Sequence, residues 1–281
     1  MFGVVLDGKS LAGEIEKSLK SKLYELKEKS GKFPNLATII VGDDPPSQMY
    51  VKMKQNACER IGIKFNKIEL KQSVTTEKLL KIIESLNADP TVDGILIQHP
   101  LPLHIDEREC FDKICIEKDV DGVNSKNFGA MCMHKNSFVS ATPLGIITLL
   151  DHYKIPLEGK HAVIVGRSPI LGKPIAMMLL NKNATVTIAH SKTKNLKELL
   201  KYADMVVACV GKPKFIKSEW LKEGCIIVDA GYNKGNVGDV DLENVKEIAS
   251  AYTPVPGGVG PMTIISLLQQ TILAYEKKIN I

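Results

Sequence analysis

The feature that most constrains this chain is the alternation of short apolar runs with longer helical patterns. Asn35–Val41 (NLATIIV), Lys64–Leu70 and residues 93–98 (DGILIQ) read as strands, with helical patterns over 47–62 and 75–88 between them. His161–Val165, 184–189, 205–210 and 225–229 supply a second series of strands. Alternating strands and helices build a largely parallel sheet covered by helices, so the expected class is α/β. A polar stretch from Asp119 to Ser140 separates the two series, which sets a boundary near residue 141. The expected lobes are residues 1–140 and 141–261, with a final helix over 262–281 joining the first. Ligands of such sheets collect at the carboxyl ends of strands, where Gln98-His99-Pro100 lies.

Composition removes several function classes. No apolar run approaches the roughly 20 residues needed to span a bilayer, so no membrane partner is expected. The six cysteines include no CxxC pair and read as reduced core residues of a cytoplasmic protein. Net charge is +5, but the densest basic run, residues 17–32, alternates with Glu and Leu at helical spacing. That pattern suits a solvated helix face rather than a nucleic-acid surface. The histidines show neither HxxxH nor HxH spacing, and no metal site is expected.

Lys54 is out of place. On the 47–62 helix, with Ser47 as the expected cap, Tyr50, Val51, Cys58 and Ile61 form an apolar stripe, and Lys54 falls in its middle. An ammonium there either snorkels out to solvent or lines a cleft with a lowered pKa. The helical pattern alone leaves both open.

The segment HAVIVGRSPILGKP reads as strand, glycine turn and helix. Gly166 permits the turn, Gly172 permits close approach of backbone to the helix, and amides at that helix start would favour a pyrophosphate. The spacing is not GxGxxG, so an ordinary βα turn is the competing reading. The next strand ends in His190-Ser191-Lys192-Thr193, with no carboxylate for a ribose 2′-hydroxyl. Arg167 in the glycine turn and Ser191 would instead receive a 2′-phosphate, which points to NADP over NAD. Tyr232 follows another strand, on the side where the nicotinamide half would lie. Residues 254–263 (PVPGGVGPMT) carry three glycines and three prolines, which suits either a plain turn or backbone packed on a ligand.

Taken together, VGDDPPSQMYVKMK, DGILIQHPLPLHI, KDVDGVN, TPLG, VGRSPILGKP, HSKT and PVPGGVGPMT resemble the bifunctional methylenetetrahydrofolate dehydrogenase/cyclohydrolase family. The resemblance implies two α/β lobes around a cleft, the C-terminal one a Rossmann-like NADP-binding domain, in a homodimer. It implies NADP-dependent oxidation of 5,10-methylenetetrahydrofolate to the 5,10-methenyl form, then hydrolysis to 10-formyltetrahydrofolate. Carried over by residue, it makes Lys54 the catalytic lysine and Gln98 the group that holds it. Tyr50 stacks on the folate and Asp121 anchors the pterin. Gly166, Arg167, Ser168 and Ser191 take NADP, and Gly258 and Pro261 lie in a folate-side loop. Tyr232 stands where the family usually has isoleucine. A shikimate-dehydrogenase-like enzyme would share the two-lobed build but lack the Tyr50–Lys54–Gln98–Asp121 set.

Overall fold

In the computed structural model, which describes residues 3–279, the chain forms two compact α/β units. One comprises Glu14–Ala141 with the chain from Ile264 onward; the other comprises the chain up to Gly13 and Thr142–Thr263. In chain order the elements begin β1 (Val4–Val5), α1 (Gly8–Ser30), β2 (Asn35–Val41), α2 (Pro45–Ile61) and β3 (Lys64–Leu70). Next come α3 (Thr76–Ala88), β4 (Gly94–Ile97), α4 (Glu107–Lys113), α5 (Ser125–Cys132), α6 (Ala141–His152) and β5 (His161–Val165). They continue as α7 (Gly172–Asn181), β6 (Thr185–Ala189), α8 (Leu196–Lys201), β7 (Met205–Ala208) and β8 (Ile226–Asp229). The last are α9 (Leu242–Val245), β9 (Ala251–Tyr252) and α10 (Val259–Ile279).

The unit around residues 14–141 holds a parallel sheet in the order β3-β2-β4. Central β2 is buried from Leu36 onward, and β4 is buried throughout, as expected for strands covered on both faces. β3 is an edge strand, and its Lys64, Lys67 and Glu69 reach solvent. Helix α2 starts two residues earlier than the pattern predicts. Pro45 and Pro46 occupy its first turn, where no N–H is needed, and the Asp44 carboxylate accepts the Ser47 amide at 3.0 Å. Asp44 is therefore the cap; Ser47 is buried inside the helix.

The second unit carries a six-stranded parallel sheet in the order β1-β9-β8-β7-β5-β6. The chain lays β6 on one side of β5 and then crosses to place β7 on the other. The carboxyl ends of β5 and β7 thus flank a topological switch point, where open α/β sheets bind ligands. Val163, Val165, Val206, Ala208 and Ile227 from these strands pack with Leu200, Ile216 and Val245 into one buried cluster.

Several local expectations change. Residues 1–140 were expected together, yet β1 pairs with β9 through Val4↔Ala251 and Val5↔Tyr252. Two residues carry no readable periodicity, so this strand leaves no signal in the sequence. The polar stretch before Ser140 contains α5, capped by the Asn124 side chain, which accepts the Lys126 amide at 2.8 Å. Thr142-Pro143-Leu144-Gly145 belongs to the start of α6, and Val259-Gly260-Pro261 to that of α10, because proline is tolerated in a first turn. Among the described residues, no helix is long and apolar enough to cross a membrane.

Candidate functional site

The unit with the smaller sheet places its unusual charges around α2. The buried positions of that helix are Ser47, Val51, Lys54, Ala57, Cys58 and Ile61, a single stripe spaced by three and four residues. Lys54 lies on this stripe and is 8 % exposed. Its Nζ turns inward and donates to Gln98 Oε1 at 3.0 Å, so it does not snorkel. Gln98, 7 % exposed, stands just past β4, with its backbone amide bonded to Ile39 O of β2 at 2.8 Å. Its Nε2 donates to His99 O at 2.8 Å, which fixes the amide so that Oε1 faces the lysine.

Burial holds the Lys54 ammonium below the ordinary lysine range, while Asp121 and Cys58 act in the opposite direction. Burial pushes the half-buried Asp121 carboxyl up to about 6, with Lys54 pulling it back. His99 is pushed down to about 4 by burial and then by Lys54, which keeps it neutral at physiological pH. The surroundings thus disfavour charge on Lys54, Asp121 and His99 alike. Tyr50 is half-buried one turn before Lys54.

Asp121 sits on a rigid corner. The buried Asp119 carboxylate accepts the amides of Val123 and Asn124, each at 3.0 Å, and Asn127 Nδ2 at 2.8 Å. Gly122 has φ of 64°, and a side chain there would collide with Val139 backbone. Gln270 of α10 completes the corner. It donates Nε2 to Val120 O at 2.7 Å and to Val139 O at 2.8 Å, and accepts the Val139 amide at 2.9 Å. Neither Asp119 nor Gln270 stands out in the sequence, since their partners are set by the fold.

The second unit gathers its candidates at the carboxyl ends of its strands. Gly166 follows β5 with φ of 138°, and a β-carbon there would overlap Cys209 backbone after β7. One on Gly172, at the start of α7, would overlap Gly166. Both glycines are therefore dictated by close backbone approach. The amides at the α7 start are not free, contrary to the expectation of an open helix terminus. Ser168 Oγ accepts from Leu171 and Gly172 at 3.2 Å each, and Ser168 O accepts from Lys173 at 3.0 Å. The amides of Arg167, Ser168 and Ile170 make no hydrogen bond among the described residues, so anion-binding capacity lies in the turn itself. Arg167 is exposed with an unpaired guanidinium among the described residues.

Ser191, after β6, is exposed on a turn closed by mutual bonds between His190 and Thr193 at 2.8 Å. Tyr232 follows β8, two strands from β5, and its hydroxyl donates to Asn236 Oδ1 at 2.5 Å. Gly258 is buried, with its amide on Pro254 O at 2.9 Å, and Pro261 is half-buried in the first turn of α10. Among the described residues, no group of three His, Cys, Asp or Glu could hold a metal ion.

Residues 6–121 match the family model of the tetrahydrofolate dehydrogenase/cyclohydrolase catalytic domain, and residues 140–279 match that of its NAD(P)-binding domain. The chain belongs to the tetrahydrofolate dehydrogenase/cyclohydrolase family. It is 59% identical over 280 residues to the bifunctional protein FolD of Cellvibrio japonicus, covering 100% of both chains. The crystal structure of the Campylobacter jejuni FolD methylenetetrahydrofolate dehydrogenase/cyclohydrolase superimposes with a TM-score of 0.95 at 46% identity, over 98% of this chain and 99% of that one. The Trypanosoma brucei enzyme, complexed with NADP cofactor and an inhibitor, gives a TM-score of 0.96 at 33% identity over 100% of each chain.

Proposed function

We propose that this protein oxidises 5,10-methylenetetrahydrofolate with NADP and then hydrolyses the resulting 5,10-methenyl cation to 10-formyltetrahydrofolate. The observation that carries this reading is the buried Lys54–Gln98 pair, set in an environment that lowers the lysine pKa. The substrate becomes cationic as the first step proceeds, so a second permanent charge beside it would be costly. A Lys54 that spends part of its cycle as a neutral amine avoids that cost. It then takes the proton from the water that attacks the one-carbon bridge. Gln98 directs Lys54 through a group that does not titrate. Tyr50, on the same helix face, stacks on the planar pterin system, and Asp121 accepts hydrogen bonds from its N–H groups.

The second unit fits a dinucleotide. Gly166 and Gly172 let the turn pack tightly between Cys209 and the start of α7, and it presents amides and an Arg167 guanidinium without partners among the described residues. In this reading the Gly166–Ser168 turn holds the phosphates, Arg167 and Ser191 hold the 2′-phosphate, and Tyr232 borders the nicotinamide half. When bound, NADP accepts the hydride from the one-carbon bridge. Gly258 and Pro261 shape a loop on the folate side. The smaller-sheet unit is the folate-binding catalytic domain, and the larger-sheet unit is the NADP-binding domain. The protein is read as cytoplasmic and homodimeric; for the dimer alone, the β3 edge, which no strand among the described residues covers, offers a surface for a second copy. A spectrophotometric assay with 5,10-methylenetetrahydrofolate and NADP tests the proposal. It predicts NADP reduction followed by decay of the methenyl absorbance, and absence of either phase would refute it.

A further inference from the structure

The turn after β7, on the far side of the switch point from Gly166, is held by a buried charge. Asp239 is 0 % exposed. Its Oδ2 accepts the amides of Val210 at 2.6 Å and Gly211 at 2.9 Å, and its Oδ1 accepts that of Lys212 at 2.8 Å and Asn233 Nδ2 at 3.1 Å. Three consecutive amides converging on one anion form a nest of the kind that elsewhere binds phosphate. Here the protein fills the nest with its own carboxylate, so phosphates are left the Gly166–Ile170 turn.

Asp239 is itself anchored. Its amide, at 3.0 Å, and that of Val240, at 2.9 Å, bond to the Asp229 carboxylate at the end of β8. Gly231 has no room for a β-carbon beside the Asp239 carboxyl group. The result is an outward turn, with Gly211, Lys212 and Pro213 exposed, whose backbone is fixed from beneath. This also explains why β7 stops at Ala208 although apolar sequence continues to Val210: the Val210 amide is drawn to Asp239.

We propose that Asp239 is a positioning residue for the dinucleotide: by filling the 210–212 nest it fixes that turn as the wall of the NADP crevice opposite the Gly166 turn. The inference rests on the assignment of NADP to this unit. Its test compares Asp239→Asn with the unaltered protein in three measurements: amide hydrogen exchange at 210–212 without dinucleotide, NADP Kd by calorimetry, and folate KM. Asn cannot accept all four donors, so exchange at 210–212 should accelerate. NADP Kd should rise about tenfold or more, by analogy with the cost of small misplacements at binding sites, with folate KM nearly unchanged. Unchanged exchange, unchanged NADP Kd, or equal weakening of both substrates would each overturn it.

Should Asp239→Asn fail to fold, Gly211→Val probes the same wall. Gly211 has φ of 67° and open space around its β-position, so valine strains the turn without disturbing the core. Its NADP Kd should rise likewise, and an unchanged value overturns the inference. Arg167→Ala, measured in parallel, separates the failures: if it too leaves NADP binding intact, the cofactor assignment has failed rather than the role of Asp239.

Discussion

The two candidate sites are built from opposite materials. Around Lys54, the chemistry lies in side chains carried by or beside regular elements, α2 and β4, and buried where charge is disfavoured. Around Gly166, it lies in backbone: two glycines, amides without partners among the described residues and an exposed arginine on turns. The first arrangement tunes protonation, which needs burial and fixed partners. The second has what an anion site needs, which is shape and donors but little burial. Changes of charge should therefore dominate at the first site and changes of shape at the second.

The largest expected effect breaks the shape rule directly. Gly166→Ala introduces a β-carbon against Cys209 backbone at a left-handed φ. NADP binding, read by calorimetry, should weaken by about 100-fold or more, as for an ångström-scale displacement, with folate binding retained. Normal NADP affinity would show that backbone shape does not govern this site. Asp121→Asn tests the charge rule at nearly constant shape. Losing charged hydrogen bonds worth about 1.5–3 kcal/mol should raise the folate KM of both activities at least roughly tenfold. The pH profile sharpens the point. Lys54 must be neutral to act as a base, so hydrolysis should rise with pH through its lowered pKa. The charge of Asp121 favours the ammonium, so its removal should move that rising limb to lower pH. An unmoved limb would uncouple the two residues.

Arg167→Ala should produce a smaller, selective change. NADP KM should rise about tenfold, the worth of one charge-assisted contact, and NAD KM far less. Equal losses would place Arg167 off the 2′-phosphate. The smallest effect is expected at Ser168→Ala, because its hydroxyl already serves the α7 amides. It should cost about 1 kcal/mol of stability, as for a lost helix cap, seen as a lower denaturation midpoint.

Much of this organisation was legible in the sequence where the signal is local. Asn35–Val41, Lys64–Leu70 and His161–Val165 form strands with the expected bounds: the first and last are apolar runs bounded by turn residues, whereas Lys64–Leu70 mixes apolar and polar residues as an edge strand does. Helical periodicity put Lys54 on the buried face of α2, although it could not show which way the ammonium turned. Non-local features left no trace. β1 is two residues long, and Gln270 meets its partners at Val120 and Val139 more than 130 positions away. The Ser168 hydroxyl likewise closes amides that the glycine motif suggested were open. Contacts of this kind depend on the completed fold rather than on any pattern along the chain.

Lys54 is expected to serve hydrolysis more than hydride transfer. The most direct measurement is the pair of rates for Lys54→Met, with folding checked by circular dichroism. Hydride transfer requires folate and nicotinamide to be held in place, whereas hydrolysis also requires a proton to be taken from water. Cyclohydrolase activity should fall by at least about 10²-fold, the usual worth of a positioned base, and dehydrogenase activity by less. A folded variant that hydrolyses methenyltetrahydrofolate at near the original rate would contradict the mechanism.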